Sequence, residues 1–230
     1  MSAIVLLSGG LDSAVNLKLA IEDRGVALAL TFDYGQRAAQ REAEAAALMC
    51  RQLHIPHRSV DLLWLGEIGR ASLVDHTIAI PQLRPEDLGR PRVTGGETAK
   101  AVWVPNRNGV FVNIGAAFAE SMGVETIVAG FNREEAATFP DNSAAFVSAA
   151  NVALGYSTLN KPMLLSYTQD LAKAEIVATG RRVRAPIGSI WSCYHGGIEH
   201  CWQCESCARL ERALRNAGAW EWFHTNRTVP

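Results

Sequence analysis

No stretch of this 230-residue sequence runs to 18 apolar residues without interruption, so it offers no candidate for a membrane-spanning helix. An excess of one charge is missing too: 22 Lys and Arg stand against 23 Asp and Glu, a formal net charge of -1. Wrapping a nucleic acid calls for clustered positive charge to neutralise phosphates, so no nucleic-acid partner is expected. Cysteine is scarce and odd in number, five in all, which rules out a fully paired disulfide framework. The opening MSAIVLLSGGLDSAV has no basic leader and turns polar after five apolar residues. No secretion signal is read there, and a cytoplasmic protein is expected. Two common nucleotide loops, Gly-x-x-x-x-Gly-Lys-Ser/Thr and Gly-x-Gly-x-x-Gly, are absent, and no internal repeat is visible.

What is present is an ordinary globular balance, 48% hydrophobic and 20% charged, with apolar strands alternating with helical segments. Residues 4–7 read as a strand, 8–13 as a turn and 14–24 as a helix, closed by Gly25. Residues 26–32 form a second apolar strand, so the chain starts on a βαβ unit. A crossover helix is expected over 36–53 and a strand over 57–61. Residues 64–104, rich in Pro and Gly, read as a long excursion with one short helix, a substrate lid or a subunit contact. Helices are expected over 110–122, over 141–154 with Asp141 or Asn142 as cap, over 172–179 with Asp170 near the first turn, and over 205–216. Short strands are expected at 126–129 and 162–166. The pattern predicts an α/β fold, a doubly wound, mostly parallel sheet over 1–185. A cysteine-bearing segment with a C-terminal helix, 186–230, packs on the same domain.

The sharpest local signal is Ser8-Gly9-Gly10-Leu11-Asp12-Ser13, set between a strand and a helix. Paired glycines expose backbone N–H groups, two serines add hydroxyls, and the helix directs its N-terminus at the loop. That is the chemistry of an anion site. Asp12 is unfavourable beside a phosphate unless Mg²⁺ or a donor offsets its charge. The second signal is Cys193, Cys201, Cys204 and Cys207, spaced C-x7-C-x2-C-x2-C. Four thiolates suit Zn²⁺ or an iron–sulfur cluster and leave no open position, so the site reads as structural. His195 and His200 are competing ligands in principle. Cys50, in an Ala-rich helix, reads as a core residue.

Ser-Gly-Gly-x-Asp-Ser after a first strand resembles the pyrophosphate-loop ATPases. Six further motifs narrow the match: Phe32-Asp33-Tyr34-Gly35-Gln36-Arg37, Val104-Pro105-Asn106-Arg107-Asn108, Phe131-Asn132, Pro140-Asp141, Ala172-Lys173-Ala174-Glu175-Ile176 and Trp191-Ser192-Cys193-Tyr194. Together they resemble the 7-cyano-7-deazaguanine synthase family of queuosine biosynthesis, from residue 4 to about residue 218. The resemblance implies an adenine-nucleotide α-hydrolase-like sheet, Zn²⁺ on the four cysteines, and a homodimer. Residues 64–104 and the tail bearing Trp220 and Trp222 are the candidate subunit contacts.

The resemblance also implies an ATP-dependent carbon–nitrogen ligase acting on 7-carboxy-7-deazaguanine and ammonia. The acid would be adenylated and displaced by ammonia to the amide, and the amide oxygen then activated and lost to give the nitrile. ATP and Mg²⁺ would sit on Ser8, Gly9, Gly10, Asp12, Ser13, Asp33 and Gly130. Asp12, Arg107 and Lys173 would serve catalysis. Tyr34, Gln36, Arg107, Asn108, Phe131, Asn132, Phe139 and Asp141 would line the substrate pocket. Two departures stand out: Phe139 and Asn142 replace the tyrosine and cysteine of many relatives, and Asn106 replaces a common glycine. They keep open a relative with another carboxylate or deazapurine acceptor, or a non-catalytic nucleotide-binding zinc protein.

Overall fold

The computed structural model describes residues 2–88 and 97–228. Five parallel strands, β1 (Ala3–Leu6), β2 (Val26–Asp33), β3 (His57–Asp61), β4 (Thr126–Val128) and β5 (Met163–Leu165), form one sheet in the order β3-β2-β1-β4-β5. The helices are α1 (Leu11–Asp23), α2 (Ala39–Leu53), α3 (Leu63–Glu67), α4 (Glu97–Val102), α5 (Arg107–Ser121), α6 (Arg133–Ala136), α7 (Ala144–Ser157), α8 (Lys173–Arg182), α9 (Glu205–Asn216) and α10 (Trp220–Thr225).

The two-residue period of a strand sorts its side chains between two cores. From β1 onward, Ala3, Val5 and Leu7 join Val15, Met49 and Ile176 on the face covered by α1, α2 and α8. Ile4 points to the other face, where Val112, Ala116 and Leu154 of α5 and α7 close the second layer. The C-terminal segment shares the first core: Trp191, Cys193, Leu210 and Phe223 are buried in the same cluster as Val5 and Val15.

The chain runs outward through β1, β2 and β3, then returns to lay β4 on the other side of β1. That reversal opens a crevice at the carboxyl ends of β1 and β4, where open α/β sheets bind ligands.

Several helix ends differ from the sequence expectation. α1 begins inside the glycine loop, at Leu11, because Gly10 takes the extended N-cap conformation. α5 begins at Arg107, since Asn106 adopts a left-handed backbone (φ 52°), and asparagine is among the few residues that tolerate it. This is the physical reason an asparagine suits the position. Neither Asp141 nor Asn142 caps a long helix: Pro140–Asn142 is a separate 3-10 turn, and the Ser143 hydroxyl accepts the Phe146 N–H at 3.1 Å to start α7. At α8 the Glu175 carboxylate accepts the Ala172 N–H at 2.7 Å, so Glu175 rather than Asp170 serves the first turn.

The excursion after β3 contains α3 and α4, two short helices rather than one, with residues 89–96 outside the described set. Its first half is strapped down by Arg37, which donates to the Ser72, Asp75 and Ile78 carbonyls at 2.8, 2.9 and 2.7 Å. The strap then meets the cysteine segment, where the Leu83 N–H donates to the Gln203 carbonyl at 2.9 Å.

Candidate functional site

The principal cavity lies in that crevice. Its floor is the loop after β1, its sides the segments after β2 and β4, and its rim α5, α8 and the cysteine segment. Ser8, Gly10, Asp12, Ser13 and Gly130 all line it. The Ser8 and Ser13 hydroxyls are 3.1 Å apart, and Ser13 Oγ donates to the Gly10 carbonyl at 3.1 Å. No described side chain caps the N-terminus of α1, so the first-turn amides can serve a ligand or water. Gly9 is not on the wall but makes the turn: its φ is +79°, and a Cβ there would stand 2.7 Å from the Glu42 carbonyl oxygen. At Gly130 a Cβ would lie 2.8 Å from the Ser13 nitrogen, so this glycine lets the β4 loop press against the α1 terminus.

Lys173 is not a surface lysine. Buried at the start of α8, it pairs with Asp12 at 2.9 Å and with Glu135 at 2.7 Å. The donor that offsets Asp12 is therefore this lysine. Burial alone would push Lys173 down, yet the two carboxylates hold it above the ordinary lysine value. For Glu135, burial is outweighed by Lys173, Arg209 and Arg107, which pull it down. Burial wins at Asp12 and lifts its carboxyl above the usual range against the pull of Lys173. The trio thus reads as a Lys173–Glu135 ion pair with Asp12 as the surplus negative group. Asp12 Oδ1 is buried without a hydrogen-bond partner among the described residues, which fits a divalent cation or a further donor completing the site.

Farther along the cavity, Arg107 Nη1 donates to the Tyr34 hydroxyl at 3.1 Å, with its guanidinium 5.6 Å from the Tyr34 ring centre. Asn108 Nδ2 donates to the Asp141 carbonyl at 3.4 Å. Burial raises the Asp141 carboxyl while Arg107 pulls it down. Phe139 stacks on Trp103, with ring centres 6.2 Å apart and planes 11° from parallel. Tyr34, Gln36, Arg107, Asn108, Phe139 and Asp141 all reach the wall.

Besides Gly9, three of the expected contact residues stand behind the wall. The Asp33 carboxylate accepts the Gly35 N–H at 3.0 Å and shapes the turn after β2. Phe131 packs edge-on against Phe146. Asn132 Oδ1 accepts the Glu135 N–H at 2.9 Å, capping α6 and so presenting Glu135. Sequence reasoning missed Glu135, Glu42 and Trp103. Glu135 is the last residue of Asn-x-x-Glu, which reads as a helix cap and nothing more. Glu42 had a usable signal, because it falls on the helical face of Ala38, Ala45, Ala46 and Met49, all buried, where a carboxylate is out of place.

The cysteine segment forms the far rim. The ligand atoms of Cys193, Cys201, Cys204 and Cys207 all lie within 4.8 Å of one another, and Cys201 Sγ is 3.9 Å from Cys207 Sγ. A Zn–S bond of about 2.3 Å puts tetrahedral sulfurs about 3.8 Å apart, so the four fit zinc. Backbone N–H groups of His195 and Cys201 point at Cys193 Sγ, and those of Gln203 and Cys204 at Cys201 Sγ, at 3.2–3.4 Å; such donors stabilise thiolate charge. His200 is engaged elsewhere: its Nε2 accepts the Ser192 N–H at 3.1 Å, and its ring stacks on Trp202 at 5.2 Å. Tyr194 and Ser192, beside Cys193, line the cavity, so the cysteine knot ties one wall of the site to α9.

Among known proteins, the family model described as queuosine biosynthesis protein QueC matches residues 2–218. A 7-cyano-7-deazaguanine synthase of Pelotomaculum thermopropionicum is 52% identical over 218 residues, covering 95% of this chain and 98% of its own. That of Desulforudis audaxviator is 53% identical with the same coverage, and that of Methanosarcina mazei is 48% identical over 220 residues, covering 95% of each chain. With agreement of this depth along nearly the whole length of both partners, the chain belongs to the QueC family of queuosine biosynthesis proteins.

Proposed function

We propose that this protein converts 7-carboxy-7-deazaguanine and ammonia into 7-cyano-7-deazaguanine at the expense of ATP. The observation that carries the reading is the near full-length identity to relatives named for that synthesis, joined to a cavity that pairs an uncapped helix N-terminus with Lys173 and Arg107. A carboxylate or amide oxygen is a poor leaving group; bound ATP would supply the adenylyl group that makes it a good one. The phosphates would rest on residues 8–13 with Lys173 alongside, and Mg²⁺ on the free oxygen of Asp12 would offset the surplus negative charge. Arg107, steadied by Tyr34, would hold the substrate carboxylate. The aromatic walls would exclude the water that competes with ammonia.

Zn²⁺ on the four thiolates would be structural, with no open position. No described helix is long and apolar enough to cross a membrane, and the unpaired cysteines suit the reducing cytoplasm. For the homodimer, one surface favours a contact away from the two first considered. Residues 142–160 carry no charged side chain, and Val152, Tyr156 and Leu159 are 65%, 90% and 93% exposed. A segment without charges of its own, with Glu120 held at its edge by the Leu159 N–H, can meet its own copy across a two-fold axis with little like-charge repulsion. The tryptophans of the tail are already covered, by Arg215 over Trp220 and Arg181 over Trp222.

The test mixes protein, ATP, Mg²⁺, ammonium and 7-carboxy-7-deazaguanine and follows the products by mass spectrometry. Nitrile is expected. Amide that accumulates without dehydrating would place the protein in a neighbouring activity. Pyrophosphate release with a different carboxylate alone would refute the reading.

A further inference from the structure

We infer that Glu42, held in place by Gln36, is the acceptor that reads the donor edge of the substrate's heterocycle, the ring N–H and 2-amino group of a 2-amino-4-oxopyrimidine; this rests on the proposed substrate. Glu42 lies on the apolar face of α2, beneath the phosphate loop, and lines the cavity. A carboxylate there is disfavoured unless it is paired. No described residue forms an ion pair with it. The protein gives it one neutral donor, Gln36 Nε2 on Oε2 at 2.8 Å, and no described residue donates to Oε1.

Both amide N–H donors of Gln36 are already committed. Its Oε1 accepts the Tyr34 N–H at 2.9 Å, and its Nε2 donates both to the Phe32 carbonyl at 3.1 Å and to Glu42. It is 6% exposed. Gln36 is therefore a positioning residue, and its effect on a ligand passes through Glu42. Burial also raises the Glu42 carboxyl above its ordinary value, a cost to the charged form that further N–H donors would offset.

The surroundings set the ligand's shape. Tyr34, Phe111, Trp191 and Tyr194 give the same cavity flat walls, and Arg107 supplies its positive end. A planar ring with an anionic substituent at one end and two neighbouring N–H donors at the other matches that polarity. Two parallel N–H groups on a carboxylate make a bidentate, charge-assisted pair. Asp141 is the competing carboxylate. Its Oδ1 already accepts from Asn142 Nδ2 at 3.1 Å, and Arg107 partly neutralises it. Glu42 also feels Arg107 and accepts from Gln36, but Asp141 has its own backbone N–H as a further donor, so Glu42 keeps more acceptor capacity.

The experiment compares two compounds by calorimetry on zinc-loaded protein: 7-carboxy-7-deazaguanine and its analogue without the 2-amino group. Sites built around a buried polar partner reject ligands lacking it by large factors. Wild type is expected to prefer the 2-amino compound by about 100-fold or more. In Glu42→Gln, which keeps an acceptor for Gln36, that preference should fall to within about threefold with ATP binding unchanged. Glu42→Asp should give an intermediate preference, and Gln36→Met should weaken it and raise KM while sparing kcat. A Glu42→Gln or Glu42→Asp protein with the full preference, or a preference lost in Asp141→Asn instead, overturns the assignment. If wild type binds and converts the acid while the Glu42 variants behave like wild type, only Glu42 is wrong. If wild type binds neither compound, the proposed substrate falls with it.

Discussion

Replacing Lys173 by methionine keeps the length and apolar stem of the side chain and removes its charge. In the native protein this ammonium stands 2.9 Å from Asp12 and 2.7 Å from Glu135, and the three side chains are 11%, 14% and 26% exposed. Its loss leaves two carboxylates facing one another without a counter-ion. Breaking a buried ion pair by removing one partner destabilises a protein by about 3–5 kcal/mol. The cavity admits water, so the lower end applies, about 3 kcal/mol. For a chain of this size that is a fall in Tm of roughly 6–12 °C.

The pH dependence separates charge from packing. In wild type the raised Lys173 value means its stabilisation is complete below the unfolded lysine value of about 10.4 and is lost only as pH climbs through the folded value. In the variant, both carboxylates have folded values raised above about 4. The stability they withhold at pH 8 returns as pH falls toward 5 and a proton takes the place of the lysine. Scanning calorimetry of both proteins from pH 5 to 8 reads this directly, and a second change, Asp12→Asn, should restore most of the loss. A deficit that is the same at pH 5 and pH 8, or below about 2 °C throughout, would refute the ion-pair account.

Elemental analysis should give one zinc per chain and no iron, and Cys204→Ser should fold poorly, because structural zinc binding is folding free energy; stable metal-free protein would sink this. Gly130→Ala should cost about 1–3 kcal/mol and weaken ATP binding, since its Cβ meets the Ser13 backbone at 2.8 Å; an unchanged Tm would count against the close approach. Asp12→Ala should lower turnover strongly with little change in Tm, because Lys173 keeps Glu135; wild-type turnover would remove Asp12 from the mechanism. Light scattering should report a dimer that Tyr156→Asp converts to monomer, and a wild-type monomer at micromolar concentration would end the proposal for the α7 face.

The sequence alone carried the alternation of strands and helices, the glycine loop after β1 and the four thiolates, because each depends on neighbours a few residues apart. Strand period, glycine backbone freedom and C-x2-C spacing are local physics. So β3 and α9 were legible to the residue, and the helix boundaries that slipped did so where one residue's backbone or cap decides the start, Gly10 for α1, Asn106 for α5 and the Ser143 hydroxyl for α7. The partners of Asp12 are a different matter. Lys173 is 161 positions away, brought near only because β4 returns to the side of β1 and α8 follows it. Nothing local distinguishes that lysine from one in solvent, or Glu135 from a helix cap. The tertiary structure also decided that Asp33 and Asn132 stand behind the wall while Glu42 lines it. The direction of a side chain toward a cavity belongs to the packing of several elements at once, and no single stretch of sequence contains it.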